Sequence, residues 1–259
     1  MAAELKSTSQ GRTMVLTISN PEHRNALGPE VYAAGIEALN AAETNAEIGS
    51  VVITGEGSVF CAGGNLQRLQ SNRQQPPEVQ AQSIEGLHSL IESIRTFPKP
   101  VIAAVEGPAA GAGFSLCLAC DFIVAAENAV FVMAYSNVGL SPDGGASWQL
   151  ARLLPRQMAN ELLLIGERIG SKRLHELGVV NKVTPVGSAL TEALAMAGKL
   201  NARAANVMAS IKELVNDAGD NNLNRQLAAE RDHFVKNLHH PNAGIGISAF
   251  LAKTSPKYE

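Results

Sequence analysis

An α/β core followed by a helical C-terminal part is the fold class this sequence predicts, on three observations. Strand-like and helix-like segments alternate up to about residue 145, and helix-like segments dominate after it. Two buried-looking apolar runs, SVVITG and VIAAVEG, each end in a small-residue turn that opens a helix. The chain has 259 residues, 46% hydrophobic, enough for one large domain or a domain with an appendage.

Taken in order, TMVLTIS (13–19) alternates and reads as a strand, and NPEHRNALGPE as a loop into a helix near 29–45. SVVITG (50–55) reads as a buried strand, EGSVFCAGGNLQ as a glycine-bearing turn, and NRQQPPE (72–78) as a mobile loop. A helix near 78–96 ends before Pro98. The strand at 101–107 enters the turn PAAGAG, and FSLCLAC continues as an apolar helix. DFIVAAENAVFVMA reads as two short strands joined at Glu127-Asn128. Helices are predicted over 145–154, 156–165, 171–176, 188–200, 203–216 and 221–236, with a short one closing the chain. We divide the chain into a core, 1–200, and a C-terminal helical region, 201–259, that serves oligomerisation and covers the active site. Trp148 and Phe131 read as core, and His239-His240 as the loop that starts the last helix.

Composition excludes several classes. Net charge is −3 and no basic run exceeds two residues, which argues against a nucleic-acid partner. No uninterrupted apolar stretch approaches the ~18 residues of a membrane span, and the first residues lack a signal-peptide core. Three cysteines, Cys61, Cys117 and Cys120, suit reduced buried thiols in a cytoplasmic protein. No His, Asp or Glu cluster has metal-ligand spacing, so no metal is expected. Only 17% of residues are charged, against about a quarter in a typical soluble domain, which points to self-association.

The turns FCAGGNL (60–66) and GPAAGAGFSL (107–116) place Gly and Ala where a strand becomes a helix. Free N–H groups there carry the positive end of the helix dipole, and two converging on one oxygen form an oxyanion hole. Close helix-on-sheet packing needs the same small residues and stands as the plain alternative. A third glycine-rich turn, GLSPDGG, isolates one acid, Asp143. It is either a helix-capping aspartate or an acid/base held by a rigid turn.

The segments NPEHRNAL, VVITGEGSVFCAGGNL, KPVIAAVEGPAAGAGFSLCLACDFIVAA and FVMAYSNVGLSPDGG, in this order, resemble the crotonase superfamily of enoyl-CoA hydratases and isomerases. The ending ERDHFVKNLHHPNAGIGISAFLAKTSPKY fits its C-terminal helices, so the resemblance covers about residues 12–257. It implies a fold of repeated ββα units, a homotrimer or hexamer, and acyl-CoA thioester substrates. Coenzyme A then arrives as part of the substrate, and no cofactor is bound permanently. The oxyanion N–H groups carry over to Gly64 and Ala112. The CoA contacts carry over to Arg24, Ala26, Leu27, Ala62, Gly63, Asn65 and Leu66.

The hydratases that the chain resembles use two glutamates, and the matching positions here are Ser115 and Tyr135. Neither is a ready base at neutral pH. Asp143 matches the acid of several enoyl-CoA isomerases and the nucleophile of 4-chlorobenzoyl-CoA dehalogenases. His88 matches the dehalogenase histidine, but those enzymes carry Trp where this chain has Tyr135. The pattern is closest to the phenylacetate-pathway isomerases, which open a ring epoxide on a CoA thioester. The expectation is therefore an isomerase using Asp143, with His88, Ser115 and Tyr135 as candidate acyl-pocket residues, and replacement of Ser115 or Tyr135 costing far less than that of Asp143. A hydratase with non-standard acids, an aryl-CoA dehalogenase and a non-catalytic CoA binder remain as alternatives.

Overall fold

The computed structural model describes residues 3–258. The chain opens with a hairpin of β1 (Glu4–Gln10) and β2 (Thr13–Ser19), turned at Gly11, whose φ is +58°. Strand β1 was not expected: all but one of its residues are exposed, so no apolar pattern marks it. Strand β2 leads through the 20–28 loop to α1 (Pro29–Thr44), and then come β3 (Ser50–Gly55), α2 (Leu66–Asn72) and α3 (Pro77–Thr96). Helix α2 fills the stretch between the predicted glycine-bearing turn and the predicted loop at 72–78, to which no element had been assigned. The Asn65 side chain caps it by accepting from Arg68 N at 3.1 Å, and it buries nothing, so it lacks an amphipathic signature.

The centre of the chain gives β4 (Val101–Val105), β5 (Pro108–Ala110), α4 (Ala112–Ala119), β6 (Phe122–Ala126) and β7 (Val130–Val132). Next come α5 (Ala146–Leu153) and α6 (Arg156–Asn160), the latter running into a π turn over Glu161–Ile165. The predicted all-helical tail is corrected by two short strands, β8 (Ile169–Gly170) and β9 (Lys182–Thr184), which flank α7 (Ser171–Glu176). The chain ends in α8 (Ala189–Asn201), α9 (Ala205–Ala218), α10 (Leu223–Leu238) and α11 (Pro241–Leu251). As expected, His240 starts α11, its Nδ1 accepting from Asn242 N at 3.1 Å.

The large sheet has the order β1-β2-β3-β4-β6-β9, parallel except at β1-β2. The small one has the order β5-β7-β8. The units β4-β5-α4 and β6-β7-α5 each give one strand to each sheet and then a helix, the repeated ββα arrangement of the crotonase fold. Alternation in the central strands sorts side chains to two cores. Leu16, Ile18, Ile53, Val101 and Ala103 share a core with α1, α3 and α4, while Val15, Val52, Ile102 and Val124 meet Ala193 and Ala197 of α8. Both faces of the sheet are covered, which is why its strands read as continuous apolar runs. Glu106 anchors α8 by accepting from Ala189 N at 2.8 Å and Gly187 N at 3.1 Å.

Candidate active site

Three loops that follow sheet strands meet at one place. Asn25 is buried with φ +57°, and its amide donates to the Glu56 and Val59 carbonyls at 2.9 and 2.7 Å. That fixes the 20–28 loop against the end of β3. Leu27 N then donates to Gly63 O at 2.8 Å, and Ala62 N donates to Arg24 O at 3.0 Å. On the other side, Ala110 N donates to Cys61 O at 2.9 Å. The 60–65 turn is therefore clamped between the 24–27 loop and the turn that starts α4.

Gly63 shows how close the clamp is. Its φ is +88°, and a β-carbon there would lie 2.6 Å from Ala110 O and 3.2 Å from Ala112 N. A β-carbon on Gly113 would meet the Cys61 carbonyl at 2.6 Å. The Gly64 and Ala112 amides thus sit in adjoining turns. Among the described residues, neither N–H donates to a protein acceptor. Ala112 is the first residue of α4, where helix geometry leaves the N–H without an internal partner. Two free backbone donors side by side are what a developing oxyanion requires.

Asp143 is half-buried, and it does not cap α5: the N-cap is Gly145, with no side-chain cap bond. Its Oδ1 accepts instead from the Tyr135 phenol at 2.6 Å. Ser115 is fully buried, and its hydroxyl donates to the Asp143 carbonyl at 3.1 Å. A β-carbon on Gly144 would lie 3.0 Å from Ser115 Cβ and 3.4 Å from Leu87 Cδ2, so the acid's turn rests on α4 and α3. The Tyr135 ring stands over the other turn, 3.6 Å from the β-carbon position of Gly111. Burial, and then the Asp143 charge, push the Tyr135 phenol well above its ordinary pKa, so it stays protonated and donates.

Ser115 and Tyr135 are therefore joined to Asp143, a closer tie than pocket residues of little weight would show. The ring of His88 is 3.8 Å from Glu85 on its own helix and 41% exposed, and it is not among the hydrogen-bonding partners of Asp143. Arg24 lies on the surface with φ +52°, whereas Ala26 and Leu27 are buried and present backbone rather than side chain. Leu66 is exposed and Asn65 is occupied as a cap. The sequence did not mark Tyr32, whose phenol lies in the fields of Arg68 and Asp143. Burial, aided by Asp143 and opposed by Arg68, raises its pKa to about 12. Nothing in NALGPEVY distinguishes it from a core aromatic.

A cavity of about 410 Å³ opens beyond α5, walled by Trp148, Arg152, Asp121 and Lys212, and contains none of these site residues. Trp148, expected in the core, is 37% exposed and lies between the guanidinium groups of Arg95 and Arg152. Cys61, Cys117 and Cys120 are free and buried, and burial raises the Cys61 thiol to about 12. Among the described residues, no three His, Cys, Asp or Glu side chains gather as a metal site, and no helix is long and apolar enough to cross a membrane.

The ββα-repeat scaffold, with two backbone N–H groups left without a protein acceptor in adjoining turns, defines the class of enoyl-CoA hydratase/isomerase enzymes. The Enoyl-CoA hydratase/isomerase family profile matches residues 8–259. The chain belongs to that family, within the crotonase superfamily, and its substrates are CoA thioesters. It is 36% identical over 246 residues to the 1,2-epoxyphenylacetyl-CoA isomerase of Escherichia coli K12, covering 95% of this chain and 94% of that one. It is 32% identical to the 2,3-dehydroadipyl-CoA hydratase of the same organism, covering 99% of both. A crystal structure from Polaromonas sp. JS666, called an enoyl-CoA hydratase, is 74% identical with a TM-score of 0.98, covering 98% of this chain and 99% of that one.

Proposed function

We propose that the chain is an isomerase of CoA thioesters in which Asp143 moves the proton and the Gly64 and Ala112 N–H groups hold the thioester oxygen. One observation carries this reading: the Asp143 carboxylate is held by the Tyr135 phenol, whose ring lies against Gly111 next to Ala112, while Ser115 and Tyr135 occupy the hydratase glutamate positions and bond to Asp143. No second carboxylate hydrogen-bonds to this trio among the described residues, which favours one-carboxylate chemistry over the two-glutamate hydration route. With a 3-enoyl thioester, Asp143 takes a proton from C2. The C–H electron pair delocalises onto the thioester oxygen, and the dienolate is reprotonated at C4 to give the 2-enoyl product. Atoms and charge balance without a cofactor. Asp143→Asn should keep thioester binding and lose about 10²–10⁴ in turnover. A fully active Asp143→Asn enzyme sinks the reading.

Hydration is the second reading, favoured by the hydratase names among close relatives. Mass spectrometry of products from 3-enoyl, 2-enoyl and aromatic-derived CoA thioesters separates the two: hydration adds one water and isomerisation none. Dehalogenation is disfavoured by Tyr135, which stands where the dehalogenases carry Trp. For CoA itself we assign the exposed Arg24 as a phosphate contact and the 62–66 backbone as its cradle. Free acids should then bind more weakly than thioesters in calorimetry. We further assign the apolar faces of α10 and α11 to a trimer or hexamer of this chain.

A further inference from the structure

The reading above makes Asp143 the proton carrier but leaves open which of its oxygens reacts and what aims it. We propose that Tyr135 is a positioning residue that clamps Asp143 Oδ1, so that Oδ2 takes and returns the proton; this rests on the isomerase reading. Four observations converge. The Tyr135–Asp143 bond is 2.6 Å, the length of a strong hydroxyl bond to a charged oxygen. The Tyr135 ring lies against Gly111, whose neighbour Ala112 offers one oxyanion donor, so the clamp is registered to the hole. Ser115 holds the Asp143 backbone from α4, the same helix that presents Ala112. The Asp143 side chain makes no capping bond, so this phenol is its fixed point among the described residues.

The consequence is geometric. A carboxylate on a short side chain can rotate, and a proton carrier must stay aligned with both carbons it serves. With Oδ1 accepting from a phenol that remains protonated, the bond survives whether Oδ2 is bare or carries the proton. Removing the phenol oxygen leaves the acid in place but unaimed. A misplacement on the order of 1 Å can cost about 10²-fold in rate.

The test needs no knowledge of the natural acyl group. Hydrogen–deuterium exchange at the α-carbon of phenylacetyl-CoA in D₂O, followed by mass spectrometry, reads proton transfer, and calorimetry reads affinity for the same compound. Four proteins are compared: unmodified, Tyr135→Phe, Asp143→Asn and the double variant. Tyr135→Phe should slow exchange at saturation by about 10–100-fold, with affinity and thermal midpoint unchanged. The double variant should be no slower than Asp143→Asn, because a residue acting through Asp143 has nothing left to aim. Unmodified exchange in Tyr135→Phe overturns the proposal, as does a double variant slower than Asp143→Asn by the full Tyr135→Phe factor. Full exchange in Asp143→Asn, or none in the unmodified enzyme, overturns the proton-transfer reading itself and is distinguishable from both.

Discussion

Helices α4 and α10 are opposites. All eight residues of α4 are buried, and none of the sixteen in α10 is. Their surroundings differ in the same sense. In the core, β-carbons built on Gly55, Gly63, Gly107 and Gly113 would come within 2.6 Å of backbone oxygens. On α8 and α11, Gly198 and Gly244 have nothing within 4 Å. Apolar side chains follow suit: Phe114 is fully buried, while Phe234 and Phe250 are 69% and 83% exposed. A single chain thus closes its glycine-bearing turns by itself, whereas its last helices leave apolar surface open.

The contrast can be broken or sharpened in four places. Gly63→Ala carries the largest expected effect. It forces a left-handed conformation on an L-residue and drives a methyl group into Ala110 O, beside the Ala112 amide. Denaturant unfolding should show a loss of about 1–3 kcal/mol, with turnover falling further than stability. A silent Gly63→Ala would mean the two turns are not as tightly joined as the contacts indicate.

Phe234→Asp comes next. If the apolar face of α10 is the proposed subunit interface, this change should lower the mass in light scattering while leaving the unfolding of the isolated chain nearly unchanged. Unaltered mass would show that α10 is not an interface. Gly244→Ala is the finer probe, in the interior of α11. If nothing touches it, the helix should gain about 0.5–1 kcal/mol; destabilisation would reveal a subunit pressed against that face. The smallest effect concerns the thiols. Burial holds Cys61, Cys117 and Cys120 protonated at pH 8, so Ellman's reagent should label them only after denaturant is added. Rapid labelling of the native protein would contradict the closed core.

Where burial was complete, the sequence was legible. SVVITG became β3 at its expected bounds because an unbroken apolar run reports directly on packing. Strand β1 escaped because it faces solvent, and β8 and β9 because two or three residues carry no period. Asp143 was visible as a lone acid among glycines. Its partner was not, since the Tyr135 bond depends on how the turn at Ser136–Val138 folds back, which spacing cannot specify. Trp148 misled for a related reason: two arginines from different elements satisfy an exposed ring as well as a core would.

The isolated bridges Leu27–Gly64 and Cys61–Ala109 have a bearing on how the molecule is made. They stitch together segments that leave the ribosome at well-separated times, and the acid on the third turn emerges later still. Forming such contacts requires closing long loops before any local stabilisation is gained, the situation that slows folding. A nascent chain halted before Asp143 would hold both donor turns without their acid. Thioester exchange should accordingly return, in a refolding experiment, no sooner than the last sheet contacts.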